Sequence, residues 1–571
     1  MAQSHKIDFF RGINEQLENG KAGSEGEALD CTNFKITKDK RLIKRTGIRE
    51  VFKSQRTAPK DFCKGVLLYD KKETIFYLSN NTLLSFVKNQ TGETIIRDFK
   101  YENNVTLSGI MFIYNQLLYL MTSDGFMTFD GVRVEKVSPY CPTLILNSTP
   151  YGIGTPFEDT NLLSKYRMAE YITDKNFTTF KLPERDILEI VYIEINGSIQ
   201  PTSTYTVNLT QGSFTLLGTP NTGFKLKVKW AKDNTGDIKD ISTFTNSMFF
   251  GGATSSSLFI WGGVKNPTMR RFSYPGKIDY FPTSNYSYIG SGQSPITNII
   301  SQYSRQIIFT ENEIYYSTLD MTNPLNVSFP VFTLNSGIGC EYKDTVRIIN
   351  NSPVFMSKAM LFELVSTNIQ DERNVRPIGQ RIINSLKAIT NGNLTTFDDN
   401  ENSEFYLSLP TICLVYNYEA NAWYKSTGIK NAKVFFKLDD DFYFIDETGS
   451  IFLESKDLFE DYKRPDLIRR FTSTLALAPL YFNSQDTLKQ SSNMVLKCSK
   501  ESDLSFSLTT DNGYIIPLCD ISKKSDMPFS LHKYKLLSSR FISINLKIES
   551  VGKLSPANIT ELYFNTLPVG K

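Results

Sequence analysis

The chain has 571 residues, of which 40% are hydrophobic and 13% aromatic, and its 63 basic and 60 acidic side chains leave a net charge of +3. This length allows several domains with large buried cores, but the balanced charge gives no support for tight, chain-wide binding to nucleic acid, which relies on concentrated lysine and arginine. Only two histidines are present, which argues against histidine-based metal sites and catalytic triads.

The first 60 residues indicate an extended arm that contains one hairpin. Two short apolar runs, Cys31–Ile36 and Leu42–Lys44, are separated by a polar turn at 37–40. Because two strands alone are marginally stable, the hairpin needs the edge of a larger sheet. We expect this hairpin, within 28–48, to complete the sheet formed by residues 432–455. The arm also carries a candidate basic contact patch made of Lys38, Lys40, Arg41, Lys44 and Arg45.

Two stretches, 61–139 and 241–457, repeat one pattern of an apolar strand, a polar turn and an aromatic strand. Between residues 244 and 319, strands are predicted at Ser247–Phe250, Leu258–Trp261, Ile296–Ile300, Gln306–Phe309 and Glu313–Ser317. Three or four short strands in roughly 40–50 residues are typical of β-propeller blades. The pattern therefore predicts an all-β protein with a propeller of about six blades, five or seven being the other counts. A pair of stacked β-sandwiches is the alternative, and ring closure by an early strand distinguishes the two.

The pattern is interrupted at 140–240, where the sequence predicts an inserted β-sandwich. Strands are predicted at 165–171, 176–181, 189–195, 204–208, 212–216 and 225–230. Asn196-Gly197 lies between two β-rich runs, which is a strong signal for a tight hairpin turn. The polar linker 232–240 marks the return to the propeller. We expect the insert to lie outside the ring and to be dispensable for folding, so an aggregated deletion variant would contradict this expectation.

The last segment, 458–571, predicts a C-terminal β-sandwich of alternating apolar and polar residues. The one modest helical candidate is Leu458–Tyr462. The expected organisation is therefore an N-terminal arm with a hairpin joining the propeller at 1–60, the first part of the propeller at 61–139, the inserted β-sandwich at 140–240, the second part of the propeller at 241–457 and the C-terminal β-sandwich at 458–571.

The seven cysteines are dispersed and form no CxxC pair, which predicts reduced and mostly buried thiols. The first residues have no apolar segment typical of a signal peptide, and no run approaches the ~18 apolar residues of a membrane span. We expect His5 to lie in a flexible terminus and His532 to lie in a polar linker.

Acidic runs at Asp371-Glu372, Asp398-Asp399 and Asp439–Asp441 are the candidates for carboxylate chemistry. A glycosidase needs two carboxylates that face each other across the scissile bond, whereas neighbouring residues on one strand point to opposite faces. We interpret the runs as turns. The last run offers oxygen ligands for a hard cation but lacks EF-hand spacing. The sequence therefore predicts no enzyme activity, no catalytic residue, no metal site and no cofactor.

The stretch Tyr274–Tyr288 crowds aromatic side chains among proline, glycine and serine. Its rings are Tyr274, Tyr280, Phe281, Tyr286 and Tyr288. One interpretation is a long loop that crosses the propeller with its rings partly buried. The alternatives are a subunit interface or channel loop, and a platform on which sugars stack.

Short motifs from the middle of the chain to both ends support a family resemblance. They are Asn266-Pro267, Arg270–Ser273, Asp279–Pro282, Asn285-Tyr286, Ile289-Gly290, Pro295–Thr297, Ile307–Phe309 and Ile314-Tyr315, with Arg45–Ile48 in the arm and Thr509–Gly513 near the end. Together they resemble the bacteriophage tail nozzle proteins, also called tail-tube B, stabilisation or tail hub proteins. The resemblance covers nearly the whole chain, and each motif is moderately specific.

The resemblance implies a structural virion protein of the phage tail, made in the cytoplasm of the host bacterium. Proteins of this family form a ring, usually of six copies, below the portal and adaptor, where they extend the DNA channel, retain the genome and open for ejection. The implied partners are other copies of the chain, the portal, the adaptor and other tail proteins. Double-stranded DNA would pass without sequence-specific binding, no stable membrane association is implied, and the family has no catalytic residues to assign.

Two other functions stay open on the sequence alone. A host-surface adhesin, or receptor-binding tail protein, would be supported by exposed aromatic side chains on loops and by a trimeric state. A glycan-processing propeller enzyme would be supported by an activity that a single carboxylate substitution abolishes.

Overall fold

A computed structural model describes residues 3–19, 23–53, 66–69, 74–79, 82–88, 94–99, 107–252, 256–322, 327–365, 374–389, 394–464, 467–482, 485–499, 503–517, 529–535, 540–550 and 558–569. The chain forms two compact units. Unit 1 contains 1–66, 88–94 and 337–571, and unit 2 contains 67–87 and 95–336. Unit 1 is therefore built from both ends of the chain.

Nearly all regular structure in these ranges is β-strand. The helices are Thr235–Ile241 and Ile383–Lys387, with 3-10 turns at Glu15–Asn19, Thr202–Thr204, Lys343–Thr345 and Gln380–Ile382. None of the helices that the structure describes is long and apolar enough to cross a membrane. The predicted helix at Leu458–Tyr462 is wrong, because Asp461 begins the strand Asp461–Arg464.

Unit 2 contains four antiparallel sheets of four strands each, which we call blades 1 to 4. Blade 1 has strands Val66–Tyr69, Thr74–Ser79, Thr82–Lys88 and Thr94–Phe99; blade 2 has Leu107–Tyr114, Leu117–Thr122, Gly125–Phe129 and Val134–Lys136. Blade 3 has Asn246–Gly251, Ser256–Trp261, Met269–Phe272 and Tyr286–Tyr288; blade 4 has Ile296–Gln302, Arg305–Thr310, Ile314–Thr318 and Val331–Asn335. In each blade the strands pair in chain order, which is the meander of a propeller blade.

Unit 1 contributes three further four-stranded sets, blades 5 to 7. Blade 5 has Arg347–Ile349, Ser352–Ser357, Met360–Leu364 and Val375–Pro377; blade 6 has Thr395–Asp399, Glu404–Ser408, Cys413–Asn417 and Ala422–Ser426. Blade 7 has Ala432–Leu438, Asp441–Asp446 and Ile451–Glu454, and its fourth strand is Ile48–Phe52 from the arm. The predicted all-β fold with propeller-type sheets is confirmed, and the described part contains seven such sets, one more than the six expected.

The fourth strand of blade 7 is not the hairpin that the sequence indicated. Ile48–Phe52 runs antiparallel to Ile451–Glu454, whereas the hairpin strand Leu42–Lys44 pairs with Asn558–Pro568 of the terminal sheets. Gly47 lies between the two arm strands Leu42–Lys44 and Ile48–Phe52. A Cβ atom at this position would come within 1.9 Å of the carbonyl oxygen of Glu460. Only glycine allows the backbones to approach this closely.

Two sheets at the end of the chain also take strands from the arm. One contains Glu27–Thr32, Ser473–Leu477, Ile544–Ser550, Ser505–Thr510 and Ile515–Pro517, and Gly12–Ile13 joins it to blade 6. The other contains Phe34–Ile36, Leu42–Lys44, Asn558–Pro568, Lys489–Ser499 and Phe529–Lys535, with Gln3–Ile7 on Asn558–Pro568 and Arg540–Phe541 on Lys489–Ser499. The short strands Asp461–Arg464 and Leu467–Arg469 extend the blade 7 sheet beyond Ile48–Phe52.

Both histidines lie in strands rather than in flexible or linker segments. His5 lies in Gln3–Ile7, is buried, and packs with its ring centroid 5.0 Å from that of Phe482. Desolvation of this ring lowers the pKa of His5. His532 lies in Phe529–Lys535, opposite Leu496.

Among the described cysteines, Cys31, Cys340, Cys413 and Cys498 are buried and Cys141 is partly buried. For these five positions the predicted, mostly buried placement is confirmed, and their reduced state stays a prediction. Cys63 and Cys519 lie outside the described residues.

Residues 143–231 form two sheets around a core of their own. The larger sheet contains Thr143–Ser148, Thr155–Pro156, Tyr166–Ile172, Glu189–Ile195, Ser198–Ile199 and Lys225–Ala231, and the smaller contains Thr179–Lys181, Tyr205–Asn208 and Ser213–Leu216. Asn196 and Gly197 have φ values of 46° and 86° between paired strands, so the predicted tight turn is confirmed. Tyr171, Phe180, Phe214 and Trp230 lie in the core between the sheets.

The structure changes which deletion of the insert we expect to be tolerated. Leu162 and Leu163 belong to the core of blades 2 and 3, so removing all of 140–240 takes two buried leucines out of that core. Truncating a buried leucine typically lowers the free energy of unfolding by about 2–5 kcal/mol. Because two are lost, we expect the variant that lacks 140–240 to fold poorly and aggregate. Two smaller excisions, 144–157 and 166–231, spare these residues.

Each excision has ends that already lie together. The N–H of Glu158 donates to the carbonyl of Thr143 over 3.0 Å, and the N–H of Lys232 donates to that of Lys165 over 2.9 Å. We therefore expect the doubly excised chain, closed with short Gly-Ser linkers, to stay soluble with cooperative unfolding by circular dichroism. Aggregation of this variant together with a soluble 140–240 deletion would contradict the assignment of Leu162 and Leu163 to the blade core.

Candidate binding cleft

The predicted aromatic stretch divides into a buried part and an exposed part. Tyr280 and Phe281 are 2% and 0% exposed, and the N–H of Phe281 donates to Asn161 Oδ1 over 3.0 Å. Tyr286 and Tyr288 are 45% and 54% exposed and lie on the edge strand of blade 3. Of these four rings, Tyr286 and Tyr288 are therefore the two placed to contact a partner.

Tyr274, the fifth ring of the stretch, is 42% exposed and lies in a cluster of rings around one lysine. The Nζ atom of Lys277 lies 3.7 Å from the ring centroid of Tyr140, 5.4 Å from that of Tyr274 and 5.7 Å from that of Tyr280. Glu158 accepts from the hydroxyl of Tyr140 over 2.7 Å and lies 3.7 Å from Lys277 Nζ. Cation–π and ion-pair contacts thus fasten the start of the insert to the loop of blade 3.

The candidate basic patch does not form one surface. Lys44 and Arg45 are only 2% and 3% exposed. Lys38 pairs with Glu419 at 3.3 Å, Arg41 pairs with Asp39 at 2.5 Å, and Lys40 Nζ lies 5.9 Å from the ring centroid of Phe9. Three of the five cations therefore remain on the surface, and two of these are paired with carboxylates.

Burial of Lys44 gives the protein a predictable pH dependence. Desolvation lowers the pKa of Lys44 from 10.5 to about 8. Between pH 8 and 10.5 the unfolded chain therefore holds a proton that the folded chain releases, so this residue makes stability rise with pH in that window. The shift corresponds to roughly 3 kcal/mol.

Lys44→Met is expected to remove this rise and to stabilise the protein at pH 7. The measurement is the unfolding midpoint in urea from pH 7 to 10.5, with Lys38→Met as the exposed control. Parallel curves for Lys44→Met and the wild type would contradict a depressed pKa at Lys44.

The acidic runs are placed differently from the prediction. Asp398 and Asp399 end the strand Thr395–Asp399, so interpreting this run as a turn is wrong. Asp399 is buried and pairs with Lys437 at 2.5 Å. Burial and the charge of Asp399 raise the pKa of Asp398 to about 6, while Arg347 opposes the shift. Asp371-Glu372 lies outside the described residues.

The third run is a turn followed by a strand, since Asp439 has φ 51° and Asp441 begins Asp441–Asp446. Within the residues that the structure describes, no group of three or more His, Cys, Asp or Glu side chains is placed to hold a metal ion. The two acidic runs that the structure describes, Asp398-Asp399 and Asp439–Asp441, are therefore not brought together into a metal site.

A cleft of about 520 Å³ lies where the insert leaves and rejoins unit 2. This volume is in the range of roughly 300–1,000 Å³ that small ligands and short chain segments occupy. One wall is blade 2, formed by the turn 123–126 and by 136–139. The other walls are 163–166, Leu188, Asp279 and the segment 233–239, which contains most of the short helix Thr235–Ile241.

The floor of the cleft is apolar and its rim is charged. Phe126 and Leu163 are 3% and 5% exposed, so they belong to the core as well as to the floor. Charges of both signs surround them: Asp124, Asp233, Asp279, Lys136, Lys165 and Lys239. The arrangement suits an occupant with an apolar centre and polar or charged flanks.

Local turn chemistry sets the shape of the rim. The Oδ1 atom of Asp233 accepts the N–H of Thr235 over 3.0 Å, and hydrogen bonds from Thr235 lower the pKa of Asp233. On the opposite wall the Oγ atom of Ser164 accepts the N–H of Tyr166 over 3.1 Å. The ring of Tyr166 has Lys229 Nζ at 4.7 Å and Lys165 Nζ at 5.1 Å from its centroid.

No motif in the sequence predicted this cleft. Its lining comes from short segments between residues 123 and 279 that are far apart in the sequence. The segment 232–240 was predicted only as a polar linker, and the structure places most of the short helix Thr235–Ile241 in it, against the cleft.

Comparison with known proteins gives similarities of fold and no family. No family model and no curated protein sequence matches the chain. Among solved structures, BamB from Moraxella catarrhalis is 8% identical, with 71% of this chain and 98% of that chain covered at a TM-score of 0.34.

Two further solved structures give similar values. The AfRom2 CNH domain is 9% identical, with 71% of this chain and 99% of that chain covered at a TM-score of 0.33. The WD40 domain of SCAP from fission yeast is 8% identical, with 72% and 97% covered at a TM-score of 0.31. These values give no basis for transferring a function.

Proposed function

We propose that this protein is a structural component of a bacteriophage tail, a subunit of a nozzle ring below the portal and adaptor. In this role the ring extends the DNA channel, retains the genome and opens for ejection. The observation that carries the proposal is the tail-nozzle motif set on a chain whose described part contains seven blade-type sets of four strands. Several of these motifs coincide with strands of blades 3 and 4, as Arg270 does in Met269–Phe272 and Ile314-Tyr315 does in Ile314–Thr318.

The motif residues Arg270 and Tyr280 stabilise the fold through buried hydrogen bonds. Arg270 is fully buried and donates to Ser317 Oγ and to the carbonyl of Phe329, both over 2.9 Å, and to Gln306. Tyr280 donates through its hydroxyl to the carbonyl of Asp159 over 2.9 Å. Buried polar networks of this kind favour one unique packing arrangement. A protein whose role is mechanical needs such a framework more than it needs reactive groups.

The proposal is tested by electron cryomicroscopy of particles that carry this protein, refined without imposed symmetry. We expect a six-fold ring with a central channel beneath the portal. Particles produced without this chain are expected to package DNA and then lose it, measured as nuclease-sensitive DNA. Copies arranged as trimers at the tail periphery, with DNA retained in particles that lack the chain, would overturn the proposal.

A second candidate, a host-surface adhesin, is favoured by one specific observation. The rings of Tyr286 and Tyr288 lie 5.6 Å apart, both exposed, and the guanidinium of Arg271 lies 5.6 Å from the ring centroid of Tyr286. The double variant Tyr286→Ala/Tyr288→Ala distinguishes the two functions, with Tyr303→Ala as an exposed control. If the protein is a nozzle subunit, particles with the double variant are expected to adsorb to cells at the wild-type rate. If it is an adhesin, their adsorption rate is expected to fall at least tenfold.

A further inference from the structure

One side of the cleft is the edge of a β-sheet. Val134–Lys136 is the last strand of blade 2 and pairs only with Gly125–Phe129 in the described sheet. The N–H of Val137 donates to the carbonyl of Phe126 over 3.0 Å, and the N–H of Asp130 donates to that of Arg133 over 3.3 Å. These two bonds show which residues of the edge strand direct their N–H and C=O groups toward the rest of the blade.

The backbone groups of alternate residues on this edge point away from the blade. In an antiparallel ladder the hydrogen-bonded positions recur every second residue, so Arg133, Glu135 and Val137 face Gly125–Phe129. The N–H and C=O groups of Lys136 and Ser138 consequently point outward. Both residues line the cleft. The cleft therefore combines an apolar floor, a charged rim and an edge with outward-pointing backbone groups.

We propose that this cleft is a docking site for an extended peptide segment of a partner protein, which adds to blade 2 as a fifth strand along Lys136–Ser138. Strand addition supplies main-chain hydrogen bonds, and pockets beside the edge select alternate side chains. Here one apolar side chain of the peptide enters over Phe126 and Leu163, which lie on the floor.

The rim chemistry specifies the rest of the peptide and disfavours other occupants. Three lysines and three aspartates share the rim, so the flanking positions of the peptide carry charges of both signs. A polyanion such as nucleic acid would meet the three carboxylates. A sugar would need an open aromatic face, but the ring of Tyr166 already contacts the ammonium groups of Lys165 and Lys229. The inference does not depend on the proposed nozzle ring.

The test is selection of displayed random heptapeptides on the immobilised full chain, followed by synthesis of the enriched peptides and measurement of Kd by fluorescence anisotropy. We expect enriched peptides with an apolar residue flanked by charged residues. Hydrogen exchange is expected to show new protection at the amides of Lys136 and Ser138 in the complex. The amide of Val137, already bonded to Phe126, is expected to change little.

Two substitutions at one position separate main-chain pairing from charge. Lys136→Pro removes the outward N–H and obstructs an added strand, and proline is tolerated on sheet edges. It is expected to weaken binding at least tenfold, whereas Lys136→Ala retains the N–H and is expected to stay within threefold of the wild type. Leu188→Asp, on the opposite wall, is expected to weaken binding at least fivefold, and it serves if the proline variant fails to fold.

The proposal would be overturned by any of three results. The selection could yield no peptide that binds the full chain above background. The enriched peptides could bind equally well to a folded Lys136→Pro or Leu188→Asp variant. Protection from exchange could appear elsewhere on the chain with none at Lys136 and Ser138.

Discussion

Replacing Asp461 with alanine is expected to destabilise unit 1 by about 3–5 kcal/mol, because it leaves the charge of a buried arginine without its carboxylate partner. The guanidinium of Arg45, which is 3% exposed, donates to the two carboxylate oxygens of Asp461 over 2.8 and 2.7 Å. The same carboxylate accepts the N–H of Ile48 over 2.9 Å. Loss of Asp461 therefore also loosens the start of the arm strand that completes blade 7.

The tryptophans allow the loss to be measured in one unit at a time. Trp423 lies in unit 1, and Trp230 and Trp261 lie in unit 2. Urea unfolding of the Asp461→Ala chain in a Trp230→Phe/Trp261→Phe background reports on unit 1. Asp457→Ala, four residues away at an exposed position, is the control and is expected to change stability by less than about 0.5 kcal/mol. Equal losses from both substitutions would mean that the Arg45–Asp461 pair contributes nothing specific.

Replacing Arg270 with alanine is expected to cost unit 2 a similar amount, about 3–5 kcal/mol. The truncation leaves the acceptors of Gln306 and Ser317 without the guanidinium donor, removes one of the two donors to the carbonyl of Phe329, and opens a cavity in the core. The native charge is itself costly, since burial lowers the pKa of Arg270 to about 9. Arg270→Met, which fills the space and removes the charge, is therefore expected to cost about half as much as alanine.

A Trp423→Phe background leaves Trp230 and Trp261 as reporters of unit 2 for this series. Arg133→Ala is the control, because Arg133 is exposed in the same unit. The expected order of stability is wild type and Arg133→Ala together, then Arg270→Met, then Arg270→Ala. Neither variant can make the hydrogen bonds, and only methionine fills the space. A methionine variant less stable than the alanine variant would therefore contradict the cavity contribution to the expected loss.

The blades were predictable because each strand carries its own signal. Alternating apolar and polar residues between turn signals identify a strand without knowledge of its partner, and chain order then gives the meander. The partner of the arm strand could not be found this way. Leu42–Lys44 and Ile48–Phe52 are both short apolar strands, and the choice between them depends on groups that lie about 400 residues away, such as Asp461 and Glu460.

Site residues were harder to predict because side-chain type does not give burial. Tyr280 and Tyr286 belong to one aromatic stretch, yet the first lies in the core and the second is exposed. Lys44 and Lys38 belong to one basic cluster, and only Lys38 is on the surface. The cleft could not be predicted at all, because it is formed by segments that become neighbours only when the insert leaves and rejoins unit 2.

The pairing of the arm with the end of the chain sets a schedule for synthesis. Ile48–Phe52 emerges from the ribosome about 400 residues before its partner Ile451–Glu454. At roughly 5–20 residues per second this wait lasts about 20–80 seconds. Unit 2, whose segments all precede residue 337, is complete while the arm still exposes unpaired strand edges. Prematurely terminated chains therefore keep these strand edges unpaired. The exposed edges distinguish incomplete copies from finished ones, which gives the quality-control proteases and chaperones of the cell a feature to recognise.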